Sequence, residues 1–260
     1  VALMAATTAV AGDYAKYYEN LPTPVKPVVP VVIPQREVML TDFGAVGDGV
    51  TLCTDAFKQG IAELAKQGGG RLTVPEGVWL TGPIELKSDI ELHLDANAII
   101  YFSPDKRLFL DASASAKRVY PCIRATKARN IAITGQGVID GNGQQWRPVK
   151  RGKMSDVEWK QYTEMGGQVT EKGDLWYPWQ LKSGYPDIAA TPAKQEGMRN
   201  DLFRVEQCEN ILLQGVTFQN SPRFHVHPCY SKNVIADGVT VRCPWNAQNG
   251  DAIDLSNCNR

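Results

Sequence analysis

Three short segments of the chain share one pattern: Asn130-Ile-Ala-Ile-Thr-Gly135, Asn210-Ile-Leu-Leu-Gln-Gly215 and Asn233-Val-Ile-Ala-Asp-Gly238. In each, an asparagine is followed by alternating apolar residues and, five positions on, by a glycine. Ile131 and Ile133, Ile211 and Leu213, and Val234 and Ala236 fall on one side under the period-two rule of strands. The alternation resumes beyond the glycine in Val216 and Phe218, and again in Val239 and Val241, so each unit reads as two short strands joined by a bend. Asn210 and Asn233 are 23 residues apart, inside the period of solenoids whose units bury their apolar faces only by stacking. A weaker copy runs from Ser88 to Asp95. The competing arrangement, an antiparallel sandwich with regular strand spacing, ranks second because Asn-Gly and Asp-Gly hairpin turns are scarce between the units.

With 260 residues, 43% of them hydrophobic, the chain can build one large domain with a real core. Lys plus Arg and Asp plus Glu are equal at 28 each, so no bulk field points to nucleic acid or membrane insertion. The six cysteines show no Cys-x-x-Cys spacing and no clustering with histidine, which argues against a zinc site; no metal or cofactor is expected. Cys208 and Cys258 stand in similar places just before a coil begins, where a thiol stacks in the interior as a small hydrophobe.

Residues 1–11 are apolar and small, ending in an Ala-Val-Ala like a signal-peptidase site. They are expected to be the remnant of an export signal, which implies a periplasmic or extracellular protein. Residues 12–37 follow as an N-terminal extension whose Pro- and Val-rich stretch, Leu21 to Pro34, reads as an extended linker. Next comes a turn-rich run from Thr41 to Gly49, then a helix in which Thr54 is the expected N-cap and Phe57, Ile61 and Leu64 share a face. Such a helix would cover the open end of a solenoid. The glycines here do not make a phosphate loop, because neither G-x-x-x-x-G-K-[ST] nor a strand-to-helix G-x-G-x-x-G is present.

TDFGAVGDGVTLCTDAFKQGI (from Thr41), GGGRLTVPEGVWLTGPIELKS (from Gly68), ITGQGVIDGNGQQW (from Ile133), GVTFQNSP (from Gly215) and PWNAQNGDAIDLSNC (from Pro244) occur in this order. Together they resemble the first two thirds of a pectin-cleaving polygalacturonase of glycoside hydrolase family 28, from about Val38 to the end. The resemblance implies an all-β, right-handed parallel β-helix of the pectin lyase type with an N-terminal capping helix, occupying residues 38–260. It also implies hydrolysis of α-1,4 galacturonosyl links with inversion, and a pectic polysaccharide as partner. Within Asn249-Gly-Asp-Ala-Ile-Asp254, which resembles the family's Asn-Thr-Asp-Gly signature, Asp251 takes the place of a carboxylate that helps activate water. Asn249 and Asp254 are expected at the substrate. Gly250 for Thr and Ala252 for Gly are departures, the second putting a Cβ where the family keeps backbone room. His227 falls near a family Trp-x-x-His position and is expected to face substrate; Trp245 offers an aromatic wall for sugar and Asn246 a hydrogen bond.

Inversion needs two carboxyl groups about 6.5–9.5 Å apart, and the family's acid, in an Asp-Asp pair one coil further on, has no counterpart before Arg260. The chain therefore reads as incomplete at its C-terminus, inactive by itself, and monomeric when complete. Residues 144–199 interrupt the repeats with helix-like, aromatic-rich sequence; an insertion this long is expected to be functional, narrowing one end of the cleft and favouring attack at chain ends. A pectate lyase-type β-helix and a noncatalytic carbohydrate-binding β-helix are the alternatives, distinguished by an unsaturated product and by binding without cleavage.

Overall fold

A computed structural model describes residues 7–9, 14–110, 119–178 and 192–259. Its frame is three parallel sheets visited in turn by successive coils. Phe203–Glu206, Glu209–Gln214 and Thr217–Gln219 make one coil, and Val226–Cys229, Lys232–Asp237 and Thr240–Arg242 the next. Each strand pairs in parallel with its counterpart, Phe203 opposite Val226, Ile211 opposite Val234 and Phe218 opposite Val241. The sheets hold four, six and five strands. This is the parallel β-helix that the repeat predicts, and the sandwich is excluded.

The repeat's asparagine is a turn residue. Asn130, Asn210 and Asn233 adopt positive φ of 50°, 59° and 52°, a conformation Asn tolerates better than most side chains. Their side chains form a ladder along the axis: Asn130 Nδ2 donates to Asp89 Oδ1 (2.7 Å), Asn210 Nδ2 to Asn130 Oδ1 (2.9 Å) and Asn233 Nδ2 to Asn210 Oδ1 (3.0 Å). The glycine closes the other end of the strand. A Cβ on Gly215 would lie 2.5 Å from the Gly135 carbonyl oxygen, so stacked coils leave no room for a larger residue.

Inside the coils, Ile131, Ile133, Ile211, Leu213, Phe203 and Phe218 are fully buried. The opposite face of the six-stranded sheet is covered as well: Ala132, Leu212 and Ile235 pack beneath Val31 and Ile33. The stretch read as a linker is thus docked, with Asn233 bonding both the N–H and the carbonyl of Val29. Strands buried on both faces carry continuous apolar runs, which is why Ile211-Leu-Leu213 departs from strict alternation. Thr7–Ala9, within the expected export remnant, pairs antiparallel with Val32–Pro34; the rest of residues 1–13 lies outside the described residues.

Helix α1, Thr54–Lys66, buries Phe57, Ile61 and Leu64 and touches the strands Glu37–Met39, Gly70–Val74 and Ile90–Leu94. Its cap position is held by Cys53, not Thr54. Thr54 Oγ1 instead accepts from the Gly82 N–H at 2.6 Å, tying the helix start to the frame. The inserted region folds as a small antiparallel sheet of Val149–Lys150, Gln168–Val169 and Leu175–Tyr177 with helices α2, Asp156–Glu164, and α3, Pro192–Met198. A Ser155–Glu158 capping box starts α2. Trp179, part of the aromatic run, lies outside the described residues. All six cysteines are free, and Cys53, Cys122, Cys208 and Cys229 are buried.

Candidate active site

The four-stranded sheet carries a column of polar side chains, one from each coil. Glu85 pairs with Arg124, Arg124 with Arg204 and Arg204 with His227. Bridges from Val226 to Ile253 and Cys229 to Ser256 continue the register to Asp254 opposite His227. The column therefore runs Glu85, Arg124, Arg204, His227, Asp254, one residue per coil.

Asp251 enters this face just before the last bridge, with its side chain exposed and its main chain clamped. The His225 N–H donates to the Asp251 carbonyl at 3.0 Å, and the His225 ring Nδ1 lies 3.1 Å from the same oxygen. Because the other ring nitrogen, Nε2, accepts from the Ser221 N–H at 3.3 Å, the network assigns the proton to Nδ1. Burial pushes the His225 pKa below its ordinary value, in keeping with a neutral clamp. Asp254 is half-buried, and its Oδ2 is enclosed with no hydrogen-bond partner among the described residues. Burial raises its pKa first, and the charge of Asp251 raises it further. Two carboxyls in one cluster thus differ in environment, one exposed and one biased toward holding a proton.

His227 stands in this column but is covered there. It is 9% exposed, with Nδ1 at 2.7 Å from Asp201 Oδ2, Nε2 at 2.9 Å from Ser256 Oγ, and its ring edge-on to Phe224 at 5.4 Å. Both ring nitrogens thus find partners within the fold. Asn249 is exposed at φ 53°, and its Oδ1 is 3.4 Å from both terminal nitrogens of Arg199. Arg199, missed in the sequence, is buried and donates to the carbonyls of Gln248 (2.7 Å) and Pro222 (3.2 Å) and to Glu196. It fastens α3 to the loop that delivers Asp251. Arg147, also missed, is buried and donates to the Ser221 carbonyl and, at 2.7 Å, to Asn220 Oδ1.

Gly250 has a packing reason. A Cβ there would collide with Cys243 Sγ, so the departure from Thr goes with the bulky sulfur opposite. Trp245 is 70% exposed, beside Asn246, whose Nδ2 lies 3.5 Å from the Tyr162 hydroxyl of the insertion. A cavity of about 400 Å³ opens between the insertion and this loop, bordered by Gln144, Arg147, Tyr162, Trp176, Pro244 and Asn246.

The fold and site together define a parallel β-helix with two carboxyl groups close together on one face and an exposed tryptophan in the loop before them. Comparison with known proteins gives the family: residues 166–260 match the model of glycosyl hydrolases family 28. The chain is 30% identical over 84% of its length to a probable polygalacturonase of Vitis vinifera, and 28% identical over 85% to an exo-poly-alpha-D-galacturonosidase of Dickeya chrysanthemi. It spans only 39% and 38% of those relatives. A hyperthermoactive exopolygalacturonase of Thermotoga maritima superposes with TM-score 0.63 at 35% identity, over 87% of this chain and 52% of that one. The chain belongs to glycosyl hydrolases family 28.

Proposed function

We propose that this chain forms the catalytic β-helix of a polygalacturonase that hydrolyses α-1,4 galacturonosyl links in pectin with inversion. The observation that carries the reading is the pair Asp251 and Asp254: an exposed carboxylate on a clamped main chain, beside a half-buried carboxyl whose pKa is raised. Asp251 takes the proton of the attacking water, and Asp254 meets a sugar hydroxyl through Oδ1, the carboxyl oxygen that is not enclosed. Asn249 and Trp245 supply a hydrogen bond and a stacking face for sugar. His227 acts through Asp201 and Ser256, holding the strand beneath the substrate.

The right-handed sense, usual for parallel crossovers, and the closing of the first coil by α1 belong to the same reading. Its support is the burial of Phe57, Ile61 and Leu64 against the first strands. Attack at chain ends is supported by the insertion, which meets the loop before Asp251 through Tyr162 and Asn246, and by the exo-acting name of the Dickeya relative. A polymer of this size cannot enter a cell, so the place of action is periplasmic or extracellular.

The test is polygalacturonate digestion by the full-length protein carrying this chain, with products followed by proton NMR. Saturated products released with inverted anomeric configuration support the proposal. Unsaturated products point to a lyase, and binding without cleavage to a noncatalytic β-helix.

A further inference from the structure

A second concave feature lies on the same sheet face, away from Asp251. It is a groove of about 260 Å³ bordered by Tyr120, Arg124, Asn200, Arg204 and Glu206. The Arg124 guanidinium lies 3.6 Å from the Tyr120 ring centroid, a stack that holds its planar fork in one orientation. One terminal nitrogen of Arg124 donates to Glu85 at 2.5 Å. Its Nε and other terminal nitrogen meet no acceptor among the described residues. Arg204 is used differently: all three of its nitrogens turn to Glu206 and Asp201. The groove therefore presents one pre-oriented, half-satisfied guanidinium beside an aromatic ring, with the second guanidinium, Arg204, already neutralised by Glu206 and Asp201.

We propose that this groove is a subsite for the carboxylate-bearing sugar of the polymer, with Arg124 as the residue that grips the carboxylate. The proposal rests on the galacturonan reading above and deepens it. Both two-bond forks of a guanidinium include the nitrogen that Glu85 holds, so a carboxylate takes Nε or the free terminal nitrogen in a single charged hydrogen bond and completes a fork only where Glu85 gives way. Arg124 stands three coils from Asp254 on one ladder, roughly 14 Å at the usual strand spacing. A chain lying along the solenoid axis would reach both, so the groove reads charge several sugars from the bond being cut. Glu85 competes with the ligand for the same guanidinium, which gives the proposal a prediction of opposite sign.

The experiment is calorimetric titration of the full-length protein, in an Asp251→Asn background that preserves the ligand, with oligogalacturonate and with its methyl-esterified form. Arg124→Gln is expected to weaken oligogalacturonate binding about tenfold, the loss of one contact between charged groups. Glu85→Gln is expected to tighten it severalfold, and the esterified oligomer to ignore both changes. Unchanged affinity in both variants, weakening in both, or equal binding of the esterified form would overturn the subsite. If the unaltered protein cleaves galacturonan while Arg124→Gln keeps its affinity, the subsite alone is discarded. If the parent background binds no oligomer and the unaltered protein cleaves none, the galacturonan reading falls with it.

Discussion

His227 Nδ1 lies 2.7 Å from Asp201 Oδ2, joining two successive coils through a nearly buried pair. Asp201 also accepts from the Phe224 N–H at 3.4 Å and faces Arg204 at 3.5 Å. Asp201→Ala leaves these donors without their acceptor, at a cost of about 3 kcal/mol. Urea denaturation is expected to show that loss, and galacturonan turnover by the full-length protein to fall with it. Asp201→Asn, which keeps an oxygen acceptor, is expected to lose less.

The neutral clamp at His225 makes stability depend on pH. Burial depresses its folded pKa, so below the unfolded value of about 6.5 the unfolded chain binds the proton first. The contribution is complete above that value and is lost as pH falls through the lower folded pKa. Denaturation midpoints at pH 7, 6 and 5 are expected to fall more steeply for the parent than for His225→Gln.

Gly250 and Cys243 should behave as a coupled pair. Gly250→Thr places a side chain on the Cys243 sulfur and is expected to destabilise by about 1–3 kcal/mol through overpacking. Cys243→Ala alone leaves a small void, and the double variant is expected to recover most of the loss. Additive destabilisation in the double-mutant cycle would refute the contact.

Lys106 is buried, donates to the Gln145 carbonyl at 2.6 Å and lies over the Trp146 ring. Burial lowers its pKa from 10.5 to about 6. Between these values the unfolded chain holds a proton that the folded chain does not, so this group makes stability rise with pH over that window and leaves it flat below. Lys106→Met is expected to remove the slope and to stabilise the fold near pH 7, measured by urea denaturation from pH 6 to 10.

The coil was legible because stacking needs an Asn in the left-handed turn, a glycine where backbones meet and apolar residues between, and all three recur in order. Asp251 is singled out by its local signature. The residues that hold its surroundings are not: His225, 26 residues earlier, clamps the Asp251 carbonyl, and Arg199, 52 residues earlier, holds Gln248 and Asn249, contacts made only by coil register and the insertion. His227 was singled out without its partners Asp201 and Ser256, since a short motif does not reveal what the neighbouring coils place against it. Thr54 looked like a cap because Thr before a helical run usually is one, yet the Gly82 N–H competed for its hydroxyl. The Pro-rich stretch looked free because the apolar residues that receive it, Ala132, Leu212 and Ile235, sit on the strand face that alternation assigns to solvent.

The most direct test of the central claim is the effect of Asp251→Asn on polygalacturonate hydrolysis by the full-length protein, with folding checked by circular dichroism. The change preserves size and the main-chain bonds from His225, so folding should hold. The account predicts a fall in kcat of about a thousandfold or more, in the range set by losing an essential carboxylate, with KM little changed. Near-normal turnover by a folded Asp251→Asn protein would contradict it.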